Sequence, residues 1–159
     1  IVLIDYFNKC NRGQDLPFVP VVKKELVIKC FDDLLLKKFQ QFESQNPTGE
    51  YFMLDGSHRT TALTLAGRKI TAIIYKEEKD ISEARKLIKT GQILESGTLN
   101  HSIKENCKIL YKHFKEKPYF MTVEQKTMKM VKEKILPKKI VNYYRDTLKK
   151  LGHLPISYK

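Results

Sequence analysis

The five residues Asp55-Gly56-Ser57-His58-Arg59 are the part of this sequence best suited to chemistry. They follow a short apolar segment, Tyr51–Leu54, and they precede small residues that predict a helix from Thr60 to Ala66. The first N–H groups of a helix have no helical carbonyl to bind, and the helix dipole favours negative charge at that end. A histidine and an arginine beside them predict an anion site, and a phosphate would meet charge, dipole and hydrogen bonds together.

Each residue of this turn has a possible role. Gly56 lets the backbone approach an anion closely, because it has no side chain. Asp55 could hold a metal ion, orient His58, or accept a proton from a hydroxyl nucleophile. The alternative interpretation is structural: Asp55 and Ser57 cap the turn and the helix, while His58 and Arg59 lie on the surface. Spacing alone weighs the two interpretations about equally.

The elements around the turn follow a strand, turn, helix, strand order that is typical of α/β proteins. Two extended segments are predicted before it, at 18–22 and at 26–30, where Leu26, Ile28 and Cys30 alternate. Asp32 then caps a helix that must end at Asn46-Pro47. After the turn, Gly67 closes the helix and 70–75 forms a strand. Asp80 and Glu83 predict a capping box for a helix through 89.

From residue 101 onward, only helices are predicted. Ser102 with Glu105, and Thr122 with Gln125, predict capping boxes for the first two. The second is expected to continue as far as Pro137, and a third to run from 140 to 151. The fold class is therefore α/β (α+β), with a small mixed sheet in a domain at 1–96 and about three helices in a basic extension at 97–159.

Composition excludes collagen-like, disordered and transmembrane proteins. The chain has 159 residues with 7 Gly and 6 Pro, and no apolar run approaches the roughly 18 residues that a membrane span needs. Cys10, Cys30 and Cys107 are odd in number and far apart, which argues against a disulfide framework. We therefore expect a cytoplasmic protein with no membrane partner, in which the three cysteines pack as apolar residues.

The segment from Tyr51 to Tyr75 resembles the ParB/sulfiredoxin superfamily. Proteins of that superfamily share a strand, a Gly-x-His-Arg or Gly-Glu-Arg-Arg turn, a helix with Ala three residues on, and a strand after a glycine. The matching pieces here are Met53-Leu54, Gly56-Ser57-His58-Arg59, Ala62, Gly67 and Ile70–Tyr75. This resemblance implies the compact ParB/sulfiredoxin fold, over about 25 residues strongly and over 16–95 in general order.

Departures from the family patterns separate its branches. Sulfiredoxins carry a catalytic Cys where this chain has Ser57, so sulfinic-acid repair is not expected. Chromosome-partitioning ParB proteins carry Glu-Arg in place of Ser57-His58, and only Glu105-Asn106 matches their later Glu-Asn-x-x-Arg motif. The turn is most similar to the Asp-Gly-His-His-Arg turn of the free serine kinases. An Asp-Gly-Gln-His-Arg version in proteins linked to DNA modification keeps a DNA role open.

The resemblance implies a phosphotransferase or nucleotide hydrolase that uses Mg²⁺ with ATP, ADP or CTP. A small hydroxyl compound would be the phosphoryl acceptor. The expected nucleotide-binding residues are Gly56, Ser57, His58, Arg59 and Thr60. Asp55 is the first candidate for metal ligand or base, and His58 belongs to the catalytic set. Glu25 is the upstream carboxylate expected to act as base, with Glu43 and Glu50 as alternatives.

The C-terminal third suggests a different function. Residues 1–100 carry 15 basic and 13 acidic side chains, whereas 101–159 carry 15 and 5. Lysines recur along the first predicted helix of this region, at Lys104, Lys108, Lys112 and Lys115. Such a surface suits non-specific DNA binding or a nuclease component, because lysine reads bases poorly. A merely solvated lysine surface is the alternative, and the pairs Tyr119-Phe120 and Tyr143-Tyr144 are expected to lie in the core.

Overall fold

Apolar and β-branched residues form a four-stranded mixed sheet in the computed structural model, which describes residues 2–151 and 156–158. The strands are β1 Val19–Lys23, β2 Tyr51–Met53, β3 Ile70–Tyr75 and β4 Ile156–Tyr158. They lie in the order β2-β1-β3-β4. β1 is antiparallel to β2 and parallel to β3, and β3 is parallel to β4. The predicted α/β class with a small mixed sheet is confirmed.

Helices connect and cover these strands. Those in the described part of the chain are α1 Val2–Asn11, α2 Lys24–Ile28, α3 Asp33–Gln45, α4 Ser57–Leu65, α5 Glu78–Lys86, α6 Ile103–Glu116, α7 Val123–Lys132 and α8 Lys138–Leu151. A 3₁₀ turn at Gly97–Asn100 precedes α6. Within the described ranges, no helix combines the length and the apolar character that crossing a bilayer requires.

Alternation along the strands divides the core between the two faces of the sheet. Val19 and Val21 of β1 and Ala72 of β3 face a cluster formed with α1, α4, α7 and α8. Val22 belongs to a second cluster, with α2, α3, β2 and α6. Tyr75 belongs to a third, with α5 and the 3₁₀ turn. The sheet therefore has helices on both faces, and α4 lies centrally on one of them.

The C-terminal helices complete the same cores as the rest of the chain. Val131 of α7 and Tyr144 of α8 are buried in one cluster with Phe7 of α1. Cys107 of α6 is buried in the second cluster, and Leu99 in the third. Packing is therefore continuous across the predicted boundary between 96 and 97.

α4 is enclosed on nearly all sides, since its residues from Arg59 to Leu65 are buried. It ends in the predicted manner, because Gly67 has a positive φ of 71°. A Cβ atom at Gly67 would come within 2.4 Å of the Thr147 methyl group on α8. The glycine thus serves both the left-handed turn and the close approach of α8.

Several local predictions are confirmed. Asp32 caps α3, since its Oδ1 accepts from the Leu35 N–H at 2.8 Å. Helix α3 ends at Gln45, directly before Asn46-Pro47. β3 has the predicted limits. Ser102 caps α6 through the Glu105 N–H at 3.1 Å, and Thr122 with Gln125 forms the capping box of α7.

The sequence predicts an extended segment at 26–30, and this prediction is wrong. A short helix, α2, spans Lys24–Ile28 and is followed by a turn, and of the helix residues only Val27 is buried. The alternation of Leu26, Ile28 and Cys30 is too short to separate a strand from a helical turn. The chain leaves the sheet at Lys23, whose partner is Tyr51.

Two helix limits also differ from prediction. α5 begins at Glu78, and Asp80 is inside its first turn, where its carboxylate accepts from the Glu77 N–H at 2.9 Å. The helix ends at Lys86, before Lys89. α7 ends at Lys132 and does not reach Pro137, because Lys134 adopts a left-handed φ of 58°.

α1 and β4 were not predicted, and the aromatic pairs are only partly in the core. Tyr144 is buried, whereas Tyr143 is 41% exposed and Tyr119 is 78% exposed. Phe120, the neighbour of Tyr119, packs 4.6 Å from Phe114, measured between ring centroids. The expectation that all four rings are core residues is therefore wrong for Tyr119 and Tyr143.

Candidate functional site

The turn between β2 and α4 has the conformation that its glycine allows. Gly56 has a φ of 101°, in the left-handed region, and its carbonyl accepts the Thr60 N–H at 2.9 Å. Helix α4 therefore begins at Ser57, three residues earlier than predicted. The N–H groups of the first turn, Ser57, His58 and Arg59, lie before the first N–H that bonds to a helical carbonyl.

Arg59 turns inward from this helix end. Its guanidinium is 3% exposed, and Nη1 donates to the carbonyl oxygens of Phe18 at 2.6 Å and Pro17 at 3.2 Å. Nη2 donates to Asp55 Oδ2 at 3.1 Å. Burial lowers the pKa of Arg59, and the charge of Asp55 opposes that shift. Arg59 thus ties the turn to the residues just before β1, and its guanidinium is shielded from solvent.

Gly56 leaves space for that arginine. A Cβ atom at Gly56 would lie 3.2 Å from Arg59 Nη2 and 3.2 Å from Val19 Cγ2. Gly56 was expected to bring its backbone close to a bound anion, whereas the Arg59 guanidinium occupies the space beside it. Thr60, also expected to bind phosphate, is 3% exposed and donates its hydroxyl to the Ser57 carbonyl at 3.1 Å.

Ser57 has a partner that is distant in sequence. Its hydroxyl oxygen is in hydrogen-bond contact with Nζ of Lys126, which reaches it from α7. Among the described residues, Nζ makes no hydrogen bond or ion pair with a carboxylate. Burial lowers the pKa of Lys126 from its ordinary value. A partly desolvated ammonium group, with no carboxylate partner in the described part of the chain, therefore lies at the N-terminus of α4.

His58 lies on the solvent side of the same helix end. Its side chain is exposed and makes no hydrogen bond or ion pair with another described residue. Ser57 is half-buried. Together, Ser57, His58 and Lys126 offer a hydroxyl, an imidazole and an ammonium group near the first N–H groups of α4. This arrangement can bind an anion with charge-assisted hydrogen bonds.

Glu25 is not brought to this site. Glu25 lies on α2, two residues after Lys23, which pairs with Tyr51. Asp55 lies two residues after Met53, which pairs with Val21. Because β1 and β2 are antiparallel, the two residues lie toward opposite ends of this strand pair. The two pairs are separated by about 7 Å of strand, and each carboxylate residue lies a further two residues beyond its pair. Glu43, one of the alternatives, is paired with Lys24 at 2.5 Å. The turn therefore has Asp55 as its own carboxylate.

Asp55 is half-buried, with its side chain 43% exposed. One oxygen is bonded to Arg59, which fixes the carboxylate at the rim of the turn. No group of three or more His, Cys, Asp or Glu side chains is arranged as a metal site among residues 2–151 and 156–158. Mg²⁺ in nucleotide complexes needs only one or two carboxylates together with the phosphates, so Asp55 alone fits that requirement.

The four lysines of α6 are exposed, as expected of a solvated surface or of a DNA site. Lys115 interacts with the ring of Tyr111 at 5.5 Å and with Asp32 at 3.9 Å. Lys104, Lys108 and Lys112 make no ion pair with another described residue. Asn106, on the same helix, is buried and donates to the Thr98 carbonyl at 3.1 Å.

Comparisons with protein-family models, with curated proteins and with solved structures find no match to this chain. The resemblance to the ParB/sulfiredoxin superfamily therefore rests on the segment from Tyr51 to Tyr75 alone. It stays a prediction.

Lys126 is the residue of the site that sequence reasoning missed, because 69 positions separate it from Ser57. One signal of its position exists in the sequence. It lies three residues after Val123 and four before Met130, both of which pack against the core of α4. A lysine on the apolar stripe of a helix must extend its ammonium group to a polar partner at the edge of the core.

Proposed function

We propose that the protein binds the phosphate groups of a nucleotide at the N-terminus of α4, through Lys126, Ser57 and His58. The observation that carries this proposal is the contact between Lys126 and Ser57. The ammonium group is half-buried, has no carboxylate partner among the described residues, and lies where the helix dipole adds further positive potential. Such a charge is stabilised when an anion binds beside it.

Each side chain of the proposed site contributes a different interaction. Lys126 supplies a point charge that can approach a phosphate oxygen, and the Ser57 hydroxyl supplies a hydrogen bond. His58 can donate from its exposed ring to a terminal phosphate. Arg59 acts indirectly, since its bonds to Phe18 and Asp55 hold the turn in place.

The reaction that we propose is transfer of the terminal phosphoryl group to a small hydroxyl acceptor, or to water. The acceptor oxygen bonds to phosphorus, the bond from phosphorus to the leaving phosphate oxygen breaks, and the acceptor proton passes to a base. Asp55 is the candidate base and also the candidate Mg²⁺ ligand, because it is the carboxylate of the turn. Mg²⁺, when bound with the phosphates, would neutralise charge on the transferring group.

A thermal-shift panel tests the binding step. The wild-type protein would be heated with ATP, ADP, CTP or GTP, each with and without Mg²⁺. A ligand at 100 times its dissociation constant stabilises by about 2.7 kcal/mol, which raises the melting temperature of a chain of this size by about 5–10 °C. We expect such a shift for at least one nucleotide, and we expect Lys126→Gln to remove it.

Asp55→Asn supplies the test of the metal role. This variant should keep the Mg²⁺-independent part of the shift and lose the part that Mg²⁺ adds. If no nucleotide shifts the melting temperature at millimolar concentration, the proposal is wrong. If a nucleotide raises the melting temperature of Lys126→Gln as much as that of the wild type, the nucleotide binds elsewhere.

Non-specific duplex DNA binding by α6 is the second candidate function. It is supported by the exposure of Lys104, Lys108 and Lys112, which have no ion-pair partner in the described part of the chain. Each phosphate contact contributes roughly −0.9 to the slope of log affinity against log salt. Replacing the three lysines with glutamine should then reduce that slope by about 2.7. An unchanged slope in this triple variant would exclude α6 as the DNA-binding surface.

A further inference from the structure

A groove of about 630 Å³ lies between α3 and the segment that joins α6 to α7, away from the turn at Ser57. We call it the aromatic groove. Its walls include Lys38 and Gln41 of α3, Lys117 of the α6–α7 segment, Tyr119, Met121 and Lys129. None of these residues takes part in the site proposed above.

The ring of Tyr119 is an exposed aromatic surface in this groove. It is 78% exposed and forms no ring pair with another described residue. The aromatic residues behind it are packed, since Phe120 lies 4.6 Å from Phe114 and 5.8 Å from Phe42, measured between ring centroids. A fixed backbone thus presents an aromatic ring with free faces to solvent.

The charged residues that line the groove within the described ranges are basic. Lys38, Lys117 and Lys129 line it together with His113, and no carboxylate of a described residue does. Lys38 and Lys117 make no ion pair within the described residues. Lys129 pairs with Glu133 at 3.8 Å, but that pair is exposed and weak. The groove is therefore complementary to a negatively charged ligand.

From these features we infer that the aromatic groove binds single-stranded nucleic acid. A base would stack on Tyr119, and the phosphates on either side would contact Lys38 and Lys117. Stacking on an aromatic ring beside lysines is the recurring mode of binding for single strands, because their bases have free faces. The amide groups of Gln41 and Gln45 can hydrogen-bond to base edges.

Two other ligands fit the groove less well. A duplex keeps its bases stacked on one another, so the Tyr119 ring would have no partner in it. An acidic peptide would satisfy the lysines, but it would not need the exposed ring or the amides. Charge and ring together favour an unpaired strand, and the test below includes both alternatives.

The test uses the full chain and fluorescein-labelled dodecamers of deoxythymidine and of uridine, with anisotropy as the readout. Tyr119→Ala should weaken binding about tenfold, while Tyr119→Phe should stay within about twofold of wild type, since phenylalanine keeps the stacking face. Because Tyr119 is mostly exposed, neither variant should unfold the protein. Equal affinity for the two dodecamers would indicate a site open to DNA and RNA, and a preference would identify the natural source.

Lysine variants test the phosphate contacts. The double variant Lys38→Gln/Lys117→Gln should lower the slope of log affinity against log salt by about 1.4, or roughly 0.7 for each contact with a single strand. The matched control is Lys86→Gln/Lys89→Gln, which removes the same charge from exposed positions outside the groove. This control should leave the slope within experimental error of wild type.

Three results would overturn the inference. In the first, Tyr119→Ala binds both dodecamers as the wild type does. In the second, the control pair loses as much affinity as the groove pair, which would mean that only the overall positive charge matters. In the third, polyglutamate or a duplex displaces the dodecamers as effectively as an unlabelled single strand, which would assign the groove to another ligand.

Discussion

At the scale of single residues, the turn depends on a glycine that makes room for an arginine. Gly56 adopts a φ of 101°, and Arg59 occupies the space where a side chain at Gly56 would lie. The guanidinium then reaches two carbonyls just before β1 and the Asp55 carboxylate. The pattern Asp-Gly-Ser-His-Arg therefore encodes a structural link as well as a candidate ligand set.

Gly56→Ala should destabilise the fold. The left-handed backbone costs about 1 kcal/mol for a non-glycine residue, and displacing Arg59 adds to this, for a total of roughly 2–4 kcal/mol. Urea unfolding would measure the loss. Gly91→Ala is the matched control, because Gly91 has a φ of 73° but nothing within 4 Å of its Cβ position. Equal losses in the two variants would show that the contact with Arg59 does not matter.

The pKa of Lys126 gives the proposed site a pH dependence. Burial lowers this pKa below its ordinary value of 10.5, so the ammonium loses its proton at lower pH than a surface lysine does. A nucleotide phosphate is already fully ionised in that range. Affinity for the nucleotide should therefore fall as pH rises through the lowered pKa of Lys126, beginning below 10.5.

Titration calorimetry between pH 8 and 11, a range that extends past the ordinary lysine pKa of 10.5, would measure this fall. Lys126→Arg should retain affinity at the alkaline end, because a guanidinium does not lose its proton there. Constant affinity of the wild type across this range would contradict a role for the Lys126 charge in binding.

At the level of secondary-structure elements, the proposed site requires α7 as much as α4. Ser57 belongs to α4, Lys126 belongs to the first turns of α7, and the capping box of Thr122 and Gln125 fixes where α7 begins. The start of α7 therefore sets the position of the ammonium group relative to the N-terminus of α4.

Removing the cap of α7 should affect stability and binding together. Thr122→Ala should cost about 1 kcal/mol of stability and should also weaken nucleotide binding, because the first turn of α7 frays near Lys126. Ser102→Ala removes the equivalent cap from α6 and should cost a similar amount without changing affinity. Thermal unfolding and calorimetry on both variants would separate the effects. Equal affinities in the two variants would mean that the order of the α7 N-terminus is irrelevant to the site.

Local signals made part of this architecture predictable. Asp32, Gly67 and the Thr122 capping box marked helix ends correctly, because caps and left-handed glycines depend on neighbouring residues alone. The strand order and the partner of Ser57 depend on contacts between distant residues, so local patterns could not give them. Arg59 is an example of what local patterns do not predict. Its charge suggested a contact with a ligand, whereas in the folded protein its side chain is buried.

At the scale of the whole molecule, both faces of the sheet are covered by helices from the two ends of the sequence. α8 supplies Ile140 and Tyr144 to the cluster that contains Leu3 and Phe7 of α1. α6 supplies Cys107 to the cluster on the other face. The basic C-terminal helices thus combine a core role with a charged outer surface.

A chain that ends at residue 100 should not fold cooperatively. It would lack Val131, Ile140 and Tyr144, and the loss of large core side chains costs about 2–5 kcal/mol each, against a typical total stability of 5–15 kcal/mol. Amide chemical-shift dispersion and urea unfolding would measure the outcome. The single substitution Tyr144→Ala should lower the midpoint of one common transition for the full chain. A dispersed spectrum from the shortened chain would instead establish an independent domain at 1–96.

The proposed site places Lys126 and Ser57 beside the nucleotide phosphates at the N-terminus of α4. Its most direct test is the dissociation constant of the tightest-binding nucleotide, measured by calorimetry for the wild type, Lys126→Gln and Lys132→Gln. Both variants remove one positive charge from α7, but Lys132 is exposed. We predict that Lys126→Gln weakens binding tenfold or more, equivalent to at least about 1.4 kcal/mol, and that Lys132→Gln changes it by less than about twofold. Equal effects of the two substitutions would contradict a specific role for Lys126 in binding the phosphates.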